Sequence, residues 1–84
     1  MNTVHVRYFA SIREALGTGE QVQLPAGTSV STLRDRLIER SPAHAAALAR
    51  GKALRCALNQ ALCEETAVVS EGAEVAFFPP VTGG

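Results

Sequence analysis

The residues best suited to chemistry stand at the end of the chain, in Phe77-Phe78-Pro79-Pro80-Val81-Thr82-Gly83-Gly84. Val75 to Phe78 reads as a buried final strand. The two prolines end it, because neither donates a backbone N–H and both fix φ near the polyproline II value. Val81, the small polar Thr82 and two glycines follow, and a carboxylate on so thin a stalk fits a narrow channel in another protein. A carboxylate is inert to nucleophiles until its oxygen becomes a leaving group. Coupled to AMP it is a mixed anhydride that a persulfide sulfur can attack. Reduction of the resulting acyl disulfide leaves a thiocarboxylate, a better nucleophile than its parent.

Other residue types with chemical potential lack partners at useful spacing. His5 sits on a strand beside Arg7 and His44 in an alanine-rich helix, and both read as surface histidines. Glu64-Glu65 reads as a solvated turn, and Lys52, the lone lysine, as an exposed loop residue. Glycines are scattered, with no phosphate-cradling loop. Cys56 and Cys63 fit neither a Cys-x-x-Cys redox pair nor a zinc motif, and their apolar surroundings predict buried thiols without a disulfide. The chain is therefore expected not to be an enzyme on its own, to bind no metal and to hold no permanent cofactor.

At 84 residues with a formal net charge of +0, the chain suits one domain with a single core. The arginines form no basic stripe, which argues against nucleic acid as a partner. No apolar run approaches the roughly 20 residues that span a bilayer, and the N-terminus lacks a signal-peptide pattern, so a cytoplasmic location is expected.

The elements that must position the tail follow from periodicity. Thr3 to Phe9 alternates, with Val4, Val6 and Tyr8 facing a core. Ser11-Ile12-Arg13-Glu14 reads as a capping box opening a short helix that Gly17 closes in a left-handed conformation. Glu20 to Leu24 alternates again and predicts a hairpin with the first strand, ended by Pro25-Ala26-Gly27. Thr28 is the expected cap of the main helix. Val30, Leu33, Leu37 and Ile38 form its apolar stripe, leaving Arg34, Asp35, Arg36 and Glu39 to solvent. Ser41 and Pro42 suit N-cap and N1 of another helix, predicted to run to Arg50 and stop at Gly51. Arg55 to Asn59, a turn at Asn59-Gln60, and Ala61 to Cys63 read as two short strands. A turn at Ser70-Glu71-Gly72-Ala73 then leads to the last strand, Glu74 to Phe78. First and last strands can lie side by side and parallel.

The terminal Phe-Phe-Pro-Pro-Val-Thr-Gly-Gly run, with Tyr8-Phe9-Ala10, Arg13-Glu14 and Leu58-Asn59-Gln60, resembles the MoaD family. These are ubiquitin-like sulfur carriers that serve as the small subunit of molybdopterin synthase. The resemblance covers nearly the whole chain. It implies an α+β, β-grasp (ubiquitin-like) fold: a mixed sheet of four to five strands packed on one main helix. Residues 1–80 would form the domain and 81–84 a tail, mobile without a partner. The resemblance further implies that an ATP-dependent activating enzyme adenylates Gly84 and that a sulfur donor protein converts it to a thiocarboxylate. The tail, with Gly83 and Gly84 as inserted segment, would then enter the large subunit of a heterotetrameric synthase. There it would give sulfur to cyclic pyranopterin monophosphate.

A carrier also needs a docking surface. Phe9 points away from the core-facing Val4, Val6 and Tyr8, and Phe78 opposes Phe77. With Leu62 nearby these residues predict an exposed apolar patch, continued by Pro79, Pro80, Val81 and Thr82 toward the terminus. Three other functions stay open at this stage: a carrier for thiamin or cysteine synthesis, a ubiquitin-like modifier or interaction module, and a thiol enzyme using Cys56 or Cys63.

Overall fold

The computed structural model describes residues 1–80 of the chain. Alternating apolar residues produce strand β1 (Asn2–Tyr8), whose Val4, Val6 and Tyr8 are buried while His5 and Arg7 are exposed. A short helix, α1 (Ala10–Leu16), separates it from β2 (Gly19–Leu24). The two strands pair antiparallel with Val4 opposite Val22. Helices α2 (Val30–Ile38) and α3 (Pro42–Leu48) follow, then β3 (Arg55–Leu58), β4 (Ala61–Cys63) and β5 (Glu74–Phe78).

The sheet order is β2-β1-β5-β3-β4. The central pair, β1 and β5, is parallel with Tyr8 beside Phe77, and β5–β3 and β3–β4 are antiparallel. Tyr8, Val22, Leu24, Val75 and Phe77 from the sheet meet Ile12, Val30, Leu33, Leu37 and Leu48 from the helices in one core. This is the expected mixed α+β sheet with the β-grasp order. Asn59 and Gln60 both take positive φ, 51° and 70°, as a two-residue hairpin turn matched to the strands' twist requires.

Local chemistry departs from expectation in several places. Helix α1 starts before Ser11: Phe9 is its N-cap position, with no side-chain cap bond. The chain instead turns sharply at Ala10, φ 54°, which points Phe9 outward. Gly17 does take positive φ at the end of α1, but with ψ −171°, outside the left-handed helical region. Ser29, rather than Thr28, caps α2, accepting from the Thr32 N–H at 3.2 Å. Thr28 turns its hydroxyl to the Pro25 carbonyl at 2.6 Å, because Val69 N–H and Val30 N–H anchor this stretch to the 67–69 loop.

The largest correction concerns Arg34, which is buried, not solvent-facing. Its Nε donates to the Leu48 carbonyl at 2.8 Å, and Nη2 to the Ala49 carbonyl at 2.6 Å and the Lys52 carbonyl at 3.2 Å. Its Nη1 reaches Glu65 at 2.7 Å. One guanidinium thus caps carbonyls at and just past the end of α3, of which Ala49 also accepts from the Lys52 N–H at 2.9 Å. Helix α3 accordingly stops at Leu48 without using Gly51, and Glu65 is half-buried in an ion pair rather than solvated.

Candidate functional site

The site is built on the face of the sheet away from the helices and on the C-terminal end of β5. Strand alternation sends Tyr8 and Phe77 inward, each 1% exposed, and their neighbours Phe9 and Phe78 outward. The last backbone bond between the two central strands runs from the Phe9 N–H to the Phe77 carbonyl at 3.2 Å. Phe9 and Phe78 therefore emerge beside each other where β5 ends. Pro79 and Pro80 continue from there, both half-buried.

Leu62, 71% exposed, lies on the edge strand, separated from the aromatic pair by β3. The register supplies the bridge: Arg7, Ala76, Ala57 and Leu62 form one row across four strands. Ala76 and Ala57 make a flat floor between Leu62 and the aromatics. Sequence reasoning missed these two alanines, although the alternation Val75-Ala76-Phe77 and Cys56-Ala57-Leu58 already assigns them to the outer face. Arg7 stands over the Phe9 ring at 5.9 Å and 3.7 Å from Glu74, and Arg55 is in register with Phe78. The result is an apolar strip flanked by guanidinium groups, suited to a partner surface that is apolar at its centre and acidic at its rim.

Val81, Thr82, Gly83 and Gly84, also singled out from the sequence, lie outside the described residues. Pro79 borders a groove of about 290 Å³ between α1 and α3, lined also by Ala15, Ala46 and Lys52.

Tyr8, Glu20, Arg40 and His44 are engaged in the fold. The Tyr8 hydroxyl donates to Glu20 at 2.6 Å, and His44 Nε2 lies 2.7 Å from the same carboxylate oxygen. Arg40 pairs with the other oxygen. Burial pushes the Glu20 carboxyl up, but hydrogen bonds from Tyr8 and His44, and then their charged neighbourhood, outweigh it and hold it below its ordinary range. The Tyr8 hydroxyl is pushed up, chiefly by burial and then by the Glu20 bond. His44 is thus a half-buried bridge between β2 and α3, not a surface histidine. Its Nδ1 lies 2.7 Å from Ser41 Oγ, but that oxygen is the α3 cap and accepts from the His44 N–H at 3.1 Å. The Ser41-His44-Glu20 chain is therefore architecture. Cys56 is buried and Cys63 half-buried; both are free thiols, with sulfurs 3.6 Å apart. No helix of the described residues is long and apolar enough to cross a membrane.

A five-stranded mixed sheet with a parallel central pair formed by the first and last strands, and helices on one face, defines a ubiquitin-like β-grasp protein. Residues 6–84 match the ThiS family, and the chain belongs to it. It is 41% identical over 81 residues to the molybdopterin synthase sulfur carrier subunit of Escherichia coli (strain K12), covering 96% of this chain and 99% of that one. Among solved structures, small archaeal modifier protein 1 of H. volcanii superposes with a TM-score of 0.79 at 22% identity, over 96% of this chain and all of that one. Another is the complex of subunits 1 and 2 of the molybdopterin-converting factor from Helicobacter pylori 26695, with a TM-score of 0.68 at 24% identity over 98% of this chain and 99% of that one. These two likenesses bear on the fold.

Proposed function

We propose that the chain is the sulfur-carrier subunit of a molybdopterin synthase. Residues 1–80 form its body and residues 81–84 the segment that carries the reacting atom. The observation that carries the reading is the central position of β5: the last strand before the Gly83-Gly84 terminus runs through the middle of the sheet, and its end at Phe78 borders the Phe9, Ala76, Ala57 and Leu62 face. The full-length relatedness to a named sulfur carrier subunit supports it.

In this reading an ATP-dependent activating enzyme docks on that face and joins the Gly84 carboxylate to AMP, releasing pyrophosphate. A persulfide of the sulfur donor protein then displaces AMP, and a thiol cleaves the acyl disulfide to leave a thiocarboxylate on Gly84. The large subunit docks on the same face and takes Pro79 to Gly84 toward its active site. There the thiocarboxylate sulfur bonds to cyclic pyranopterin monophosphate, and water cleaves the acyl–sulfur bond, leaving the sulfur on the pterin and the carboxylate on Gly84. Two carriers and two large subunits make the heterotetramer, in the cytoplasm. The chain contributes no acid, base or cofactor; it contributes a rigid exit, a tail without bulk and a docking face. The alternative of a thiamin or cysteine pathway carrier has less support, since the related carriers are named for molybdopterin synthase.

The test is the intact mass of the purified chain after incubation with ATP, the activating enzyme and a sulfur donor. One oxygen replaced by sulfur, absent after deletion of Gly84, is the expected result. An unchanged mass with no AMP adduct refutes the carrier reading.

A further inference from the structure

The carrier reading leaves one pair of nucleophilic groups without a role. Cys56 and Cys63 are direct partners in the β3–β4 register, and their sulfurs are 3.6 Å apart. The Cys56 thiol also points at the Cys63 carbonyl, 3.3 Å away. Antiparallel partners hold their Cα atoms about 4.5–5.5 Å apart, inside the roughly 4.4–6.8 Å that a disulfide spans. Side-chain rotation alone therefore takes the pair from contact to bonding distance. Cys63 is half-buried on β4, which ends the sheet order and, among the described residues, has no further strand beside it. Cys56 lies deeper, opposite both Cys63 and Phe77.

We propose that Cys56 and Cys63 are a reversible modification site, closed into an intrachain disulfide by exchange with a low-molecular-weight disulfide. The Cys63 thiolate attacks one sulfur of that reagent and expels its other half as a thiol. The Cys56 thiolate then attacks the Cys63 sulfur and expels the second half. The S–S bond of the reagent is broken and that of the protein formed. Two electrons pass from the cysteine pair to the reagent, and the two protons end on the released thiols. Accessibility sets the order. Burial, then the neighbouring Cys63 and Glu65, push the Cys56 thiol up to about 12 against the opposing Arg34 charge, so the second step is the slow one.

The bond forms on the helix-facing side of the hairpin, while Ala57 and Leu62, each next to a cysteine, sit on the outer face. Closure staples the edge strand that carries Leu62. Only the bearing of this on docking rests on the proposed function; the site itself does not.

The experiment treats the full chain with oxidised glutathione at mildly alkaline pH and reads intact mass, thiol content and amide exchange. The wild type is expected to lose two hydrogen atoms and regain them with dithiothreitol, while Cys56→Ser retains one glutathione on Cys63. Exchange at the β4 amides is expected to slow by roughly tenfold on closure. A wild type that stays reduced or stops at the glutathione adduct overturns the proposal, and unchanged β4 exchange overturns the stapling. No readout passes through Gly84, so failure here is distinct from failure of sulfur loading.

Discussion

Truncating Leu62 to alanine tests whether the outer face of the sheet is the docking surface. The side chain is 71% exposed, so the folded monomer gains little from it, and the variant should match wild-type stability within about 0.5 kcal/mol. In a complex the balance reverses. The substitution removes three carbons, each worth about 0.8 kcal/mol when fully buried. Scaled by the exposed fraction, the ceiling is about 1.7 kcal/mol, and a loss of about 1–1.7 kcal/mol corresponds to roughly 5- to 18-fold in Kd. Isothermal titration of the purified large subunit with wild-type and Leu62→Ala carriers measures it, with thermal unfolding as the folding control. Val68→Ala supplies a second control: Val68 is 57% exposed but belongs to the loop that bridges to Ser29, off the sheet's outer face. An affinity within about twofold of wild type for a folded Leu62→Ala would refute the assignment. So would an equal loss in Val68→Ala.

Other expectations concern how the body holds its shape. Arg34→Ala leaves the Leu48 and Lys52 carbonyls without its donors, while Ala49 keeps the Lys52 N–H and Glu65 keeps Arg50, and should cost about 2–4 kcal/mol. Against a total of roughly 4–13 kcal/mol for a chain of this size, a urea midpoint lowered by less than the equivalent of about 1 kcal/mol would contradict the clamp. Ala10→Gly relieves a left-handed alanine, at about 1–2 kcal/mol, but adds unfolded-state freedom. A net gain of up to about 1 kcal/mol is expected in thermal unfolding, and a net loss would show that Ala10 is not strained. Glu20 ionises more readily folded than unfolded, so its contribution is complete above its ordinary value of 4.5 and fades as pH falls through the lower folded value. The stability advantage of wild type over Glu20→Gln should therefore hold steady from about pH 7 to about pH 5 and shrink as the pH falls further toward about pH 3, and an advantage unchanged at about pH 3 would remove Glu20 from the account.

Much of this molecule is written locally. Val4-His5-Val6-Arg7-Tyr8 and Val75-Ala76-Phe77-Phe78 declare both central strands and their inward faces, because a period of two leaves each side chain only one side to occupy. Asn59-Gln60 and Ser41-Pro42 declare a turn and a helix start. The tail announces itself by composition. What escaped depends on residues distant in the chain. Arg34 falls between Leu33 and Leu37 in the inward stripe begun by Val30, and that position was the available signal. Its acceptors at Leu48, Ala49, Lys52 and Glu65 follow no local pattern. Neighbouring Thr28 and Ser29 are both good caps, and only the bonds to the 67–69 loop decide between them. His44 looked exposed for the same reason: its partner Glu20 lies 24 positions away.

The parallel run of the first and last strands has a practical consequence. Because β1 and β5 point the same way, the N-terminus opens at one pole of the body and Pro79 leaves at the other. Seven residues of β1, at about 3.3 Å each, separate them by roughly 20 Å. A fluorophore, affinity handle or surface tether joined ahead of Met1 would therefore stand behind the molecule as it engages a partner. Under the proposed function, the protein could be watched, or held on a chip, through loading of Gly84 by a label placed at the opposite pole.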